Sequence, residues 1–172
     1  MSSSKPTVLV FGAGGQLGQA IVARFADGAH VHALRRGEVD ITDAEAVRRT
    51  LSGGQPAAIV NCAAFNDVDG AEERQEEALA VNGMAVGILA RAAETAGATF
   101  IHYGTDFVFA GREPGVWTED DAPEPQSVYA QSKLVGEWLA RDCTRHYVLR
   151  VESLFGGHLR RRQCRRVDLH LV

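Results

Sequence analysis

Tyr129 and Lys133 stand four residues apart in a stretch with helical spacing, so both side chains lie on one helix face and can act on one ligand. A free phenol has a pKa of about 10, and a nearby ammonium brings its proton donation toward the physiological range. Thr105 follows an apolar run that reads as a strand, and its hydroxyl can bond a substrate oxygen. Together the three can reduce a carbonyl, provided that something delivers hydride. Gly12, Gly15 and Gly18 offer a place for the donor, in the spacing GxxGxxG directly after the first apolar run. Glycines there allow positive φ and close approach of backbone to a pyrophosphate at a helix N-terminus. A plain strand-to-helix turn is the other reading of the same residues.

Where an acidic residue would bond the ribose 2′-hydroxyl of NAD, the chain reads Leu34-Arg35-Arg36. Arginines at that point favour the 2′-phosphate of NADP, with NAD as the alternative; they would equally suit a solvated loop. Asp40 either meets the adenine edge or caps the turn that follows it.

These residues need elements to hold them. Strands are expected at 8–11, 29–34, 57–61, 98–103 and 146–151, each mostly apolar. Helices are expected at 16–25, at 43–51 after Thr42 as N-cap, as one long or broken helix over 68–96, and from about 128 to 141. Apolar strands alternating with helices argue for a doubly wound parallel α/β sheet covered on both faces, with ligands beyond the carboxyl ends of the strands.

Composition narrows the class. The 172 residues, 45% of them hydrophobic, suit one globular domain, and a formal charge of −4 leaves no overall basic field for nucleic acid. Cys62, Cys143 and Cys164 are too few and too scattered for a disulfide framework or a zinc site, which fits a reducing cytoplasm. No apolar run approaches the length of a membrane span. His30, His32, His102 and His146 fall on strands with no ligand spacing, and Cys62 reads as a small packed residue.

In order along the chain, GAGGQLG (12–18), DITD (40–43), NCAAFNDVDGAE (61–72), AVN (80–82), GTDFVFAG (104–111) and SVYAQSKLVGE (127–137) resemble the extended short-chain dehydrogenase/reductases. Within these the sequence is most similar to the dTDP-4-dehydrorhamnose reductases. The resemblance implies a Rossmann-like fold and a nucleotide-linked 4-keto-6-deoxysugar as substrate. It makes Thr105, Tyr129 and Lys133 the catalytic triad, with Tyr129 protonating the C4 oxygen as NADPH or NADH delivers hydride. It also implies that Gly12, Gly15, Gln16, Leu17 and Gly18 cradle the pyrophosphate. Arg35, from the reading of Leu34-Arg35-Arg36 above, would serve the 2′-phosphate, while the resemblance has Asp40 and Ile41 flank the adenine and Ala63 and Ala64 line the ribose side. Tyr129 and Lys133 would also hold the cofactor, Val68 and Phe107 would face the sugar, and Asn82 would help order the site.

Several positions depart from the family pattern. Ser153 replaces a sugar-contacting Trp, Gly104 replaces the Ser before the catalytic Thr, and Ala20 stands where some dimeric members carry a magnesium-binding Glu, so no metal is expected. The resemblance divides the chain into a dinucleotide-binding domain, 1–156, and a tail, 157–172, with the substrate domain largely missing. Residues 158–172 hold five arginines and one Asp, and read as a basic tail or as a truncated or out-of-frame terminus. Self-association through an uncovered sheet edge would then follow. Two other functions stay open: an NADP-binding regulatory subunit like the β subunit of methionine adenosyltransferase, and an inactive cofactor-binding fragment.

Overall fold

Val8, Leu9, Val10 and Phe11 form strand β1 (Thr7–Phe11), apolar throughout and buried. In the computed structural model, which describes residues 5–111 and 116–154, β1 pairs in parallel with β2 (His30–Leu34) and with β3 (Ala58–Asn61). Strands β4 (Thr99–Thr105) and β5 (His146–Val151) extend the sheet beyond β3, so the order is β2-β1-β3-β4-β5 with every pairing parallel. The chain reverses its direction of travel between β1 and β3, which is where doubly wound sheets open a crevice.

Helix α1 (Gln16–Phe25) covers one face, its Ile21 and Val22 packing over Val8, Val10 and Val60. Helices α2 (Ala44–Leu51), α5 (Ala85–Ala96) and α6 (Val128–Ala140) cover the other, where Leu9, Phe11, Ile59 and Phe100 meet Val47 and the alanine-rich side of α5. Full cover on both faces was expected, and the outer strands depart from it. Tyr147 and Leu149 of β5 point to the α1 side and are 62% and 43% exposed, and His30, His32 and Ala33 of β2 are exposed as well.

Two local expectations need correction. The second helix takes Asp43 as its N-cap, the carboxylate accepting from the amides of Glu45 and Ala46 at 2.9 and 3.1 Å. Thr42 has its hydroxyl committed elsewhere, to Asp40 Oδ1 at 2.7 Å. Strand β4 runs to Thr105, so this residue ends the strand and does not follow it.

The helical stretch 68–96 is broken. It consists of α3 (Val68–Glu73), α4 (Gln75–Leu79), a π-helical turn (Ala80–Met84) and α5, with Arg74 at φ −115° and ψ 51° making the first interruption. A π turn often marks a functional site, and this one carries Asn82. Among the described residues no helix is long and apolar enough to cross a membrane. The expected tail, 157–172, and Cys164 within it lie outside the described residues.

Candidate active site

Gly12 turns the chain out of β1 at φ +74°, and a Cβ placed on it would lie 2.5 Å from Ala63 N and 2.6 Å from the Cys62 carbonyl carbon. The turn therefore seats directly on the backbone that leaves β3. Gly18 is buried beneath it, its α-carbon facing Ala13 so closely that a Cβ would come within 2.7 Å of the Ala13 Cα. Gly15 caps α1 with no side-chain hydrogen bond, so the positive end of the helix is presented at the surface of a cleft that Gly15, Gln16 and Leu17 line.

That cleft has two lobes, of about 550 and about 350 Å³, which share Gly15, Cys62, Ala63, Ala64 and Asn66 as a common wall. Thr105, Tyr129 and Lys133 line the larger lobe; Arg36, Asp40 and Ile41 line the smaller. An uncapped helix N-terminus at the junction, a cationic side chain in one lobe and proton-carrying groups in the other form a donor set that fits a dinucleotide laid across both.

Beside the larger lobe, Ser127 caps α6 by accepting from the Ala130 amide at 3.2 Å, and Tyr129 and Lys133 on this helix line the lobe. Burial pushes the Tyr129 phenol above its ordinary value, Thr105 opposes this through a side-chain hydrogen bond, and Asp106 adds to it. Lys133, expected from the sequence to lower this phenol, does not act on its titration, because the Lys133 ammonium, at about 8, loses its proton before the phenol does. Lys133 is 3% exposed and donates from Nζ to the Tyr103 carbonyl at 2.6 Å. Burial brings its ammonium down to about 8, with Glu137 acting in the opposite sense.

Asn82 fastens the wall of the lobe to α6. Its Oδ1 accepts from Phe65 N at 2.8 Å, and its Nδ2 donates to Phe65 O and to Ser132 Oγ, each at 3.0 Å. Gly136 permits this closeness, because a Cβ there would collide with the Asn82 carbonyl oxygen. Asn61 accepts from Ala63 N at 3.0 Å and turns its amide to His102 Nδ1 at 3.2 Å.

His102 thus has a structural place that its sequence position did not announce. It is 1% exposed, stacked on Phe100, and held well below its ordinary pKa first by burial and then by the charge on Lys133. The folded imidazole stays neutral where an unfolded one takes a proton, so stability is unaffected above about pH 6.5 and declines as the pH falls below it. Thermal melts at decreasing pH should show His102→Gln losing less stability with acid than the parent, by about 1.4 kcal/mol per pH unit. Parallel pH dependences for the two proteins would show that His102 is not the group that titrates.

The other sequence-predicted residues are placed unequally. Ile41 is buried and Asp40 spends its carboxylate on Thr42 N (2.9 Å) and the Thr42 hydroxyl, so it caps its own turn as well as lining the small lobe. Those bonds, with Arg36 a lesser influence, lower its pKa. Arg35 is exposed outside both lobes, whereas Arg36 lines the smaller one and pairs with Glu77 at 3.8 Å. Val68 opens α3 and lines neither lobe; Phe107 is 49% exposed and meets the Tyr129 ring edge-on at 6.0 Å. Cys62 lines both lobes with its thiol pushed up to about 12 by burial, which leaves it unreactive. Asn66, Tyr103, Glu152 and Leu154 line the large lobe without having been singled out in the sequence, and Gln16 Nε2 donates to Leu154 O at 3.3 Å across its mouth.

Residues 6–166 match the family described as RmlD substrate binding domain. The dTDP-4-dehydrorhamnose reductase of Mycobacterium tuberculosis H37Rv is 42% identical over 142 residues, covering 80% of this chain and 46% of that protein. Among solved structures, a dTDP-4-dehydrorhamnose reductase from Bacillus anthracis in complex with NADP superposes with a TM-score of 0.85 at 27% identity, over 88% of this chain and 55% of that one. A Clostridium acetobutylicum dTDP-4-dehydrorhamnose reductase gives 0.81 at 34% identity, over 84% and 52%. The chain therefore spans about half the length of the relatives it matches. With a match running through both lobes of the cleft and all five strands, the chain belongs to the RmlD substrate binding domain family.

Proposed function

We propose that this chain carries out the NADPH-dependent reduction of a 4-keto group on a nucleotide-linked 6-deoxysugar, the activity for which its relatives are named. The observation that carries this reading is the convergence of Thr105, Tyr129 and Lys133 in one lobe of a cleft whose other lobe opens at the glycine turn. Bound NADPH supplies the hydride. Thr105 Oγ, at the end of β4, orients the carbonyl oxygen, and the Tyr129 phenol, raised by burial and so protonated at neutral pH, is the proton donor to it. Lys133 remains largely protonated at pH 7 and stabilises the phenolate left after transfer. Arg36 in the small lobe favours a 2′-phosphate, and thus NADPH over NADH.

The test is a fluorescence titration of the purified chain with NADPH and with NADH, repeated with a dTDP-4-keto-6-deoxyhexose while the loss of reduced cofactor is followed. Tighter binding of NADPH and sugar-dependent oxidation are expected. Binding without oxidation would reduce the reading to a dinucleotide-binding unit, and absence of binding would overturn it altogether.

A further inference from the structure

The reduction proposed above asks Lys133 to carry a charge in a place where it has almost no contact with water. The residue is 3% exposed, and its ammonium donates to a neutral backbone carbonyl, that of Tyr103. The titratable groups around it come from every neighbouring element. Tyr129 lies one turn back on α6 and Glu137 one turn ahead; β4 contributes His102 and Tyr103. Asp106 follows β4, Cys62 follows β3, and Glu152 follows β5 along the lobe. His102 and Cys62 are neutral, and Tyr103 is raised by burial. Asp106 is bonded to Thr105, its carboxyl raised by burial.

Glu137 differs from all of these. It is 5% exposed, and Arg150 of β5 grips it with two nitrogens, Nε at 3.1 Å and Nη2 at 2.9 Å from Oε2. The carboxylate rests on the bare α-carbon of Gly104: a Cβ there would collide with Glu137 Oε1 and stand 3.3 Å from Arg150 Cγ. The far side of the Arg150 guanidinium lies over the Phe109 ring at 4.9 Å, and Phe109 stacks on Trp117 at 4.6 Å. A carboxylate buried this deeply and held in one place is a fixed negative charge at helical spacing i+4 from Lys133.

We propose that Glu137, clamped by Arg150 over Gly104, is a positioning residue whose negative field keeps the Lys133 ammonium charged and seated in the cleft. This inference rests on the reductase reading for its purpose, but its test does not need turnover.

The chain has two lysines, Lys5 and Lys133, so protein labelled at lysine ¹³Cε gives two side-chain signals, and Lys5→Arg assigns them. In the parent the Lys133 signal is expected to titrate near 8. Glu137→Gln should move that midpoint down by about one pH unit, and Glu137→Asp should restore part of it. Arg150→Gln should move it up, because a cation is removed and the carboxylate stays. An unmoved midpoint in Glu137→Gln overturns the proposal, as does a downward shift in both variants, which would mean lost packing and not lost charge. If Glu137→Gln does not fold, Arg150→Gln decides alone: a midpoint that fails to rise overturns it. Opposite shifts in a chain that never oxidises NADPH would refute the reductase reading and leave the electrostatic role standing.

Discussion

Replacing Tyr129 with Phe is expected to lower ketosugar-dependent oxidation of NADPH by ~10²–10⁴-fold, the usual contribution of a general acid, or roughly 3–5 kcal/mol of barrier. The substitution keeps the ring that packs edge-on against Phe107 and removes only the hydroxyl that bonds Thr105. NADPH affinity should therefore change far less than turnover. Steady-state rates set beside a fluorescence titration would separate the two quantities. Retained turnover would place the proton donor elsewhere, with Asp106, bonded to Thr105 and with its carboxyl raised by burial, the next candidate.

The second large effect is expected at Gly12. An alanine there must adopt φ +74° and bring its Cβ to 2.5 Å from Ala63 N, and both obstacles are backbone with no side chain to move aside. The left-handed conformation costs about 1–2 kcal/mol and forced overpacking about 1–3 more. A loss of roughly 2–5 kcal/mol follows, together with loss of NADPH binding, since the wall shared by the two lobes is displaced. Gly14→Ala is the control. Its nearest neighbour would be Arg35 Cγ at 3.8 Å and its φ is not positive, so denaturant midpoints should barely move. Equal destabilisation by both substitutions would show that the turn tolerates neither side chain for a reason other than contact with β3.

The parts of this arrangement that announce themselves in sequence are those set by local pattern. A run such as Val8 to Phe11 closed by glycines has few alternatives to a buried strand and turn, and Tyr129 with Lys133 needs only a helix to share a face. What stays hidden depends on which neighbour tertiary packing supplies. Arg35 and Arg36 are equivalent by type, and only the direction in which the chain leaves β2 puts the second in the lobe. Thr42 and Asp43 are both capping residues, and the choice falls to Asp43 because Asp40 already holds the Thr42 hydroxyl. Glu137 looks like any helix glutamate until Arg150, from a strand thirteen residues on, closes over it. The exposed side of β5 was missed because the run 146–151 is mostly apolar and reads the same whether one face or both are covered by the described residues. For the family motifs the resemblance carried much of the information, and local physics alone would have left Ala63 and Asn82 unremarked.

The strand order has a bearing on how the protein is made. Once β2 has paired with β1, every later strand joins the same growing edge, in the order in which it leaves the ribosome. Among the described strands none has to be inserted between two that are already paired. The walls of the smaller lobe come from the first 81 residues, whereas Thr105, Tyr129 and Lys133 are synthesised after them. On the proposed reading, a nascent chain can thus complete the half that would hold the nucleotide, and gain whatever stability a bound dinucleotide lends it, before the residues proposed to react exist.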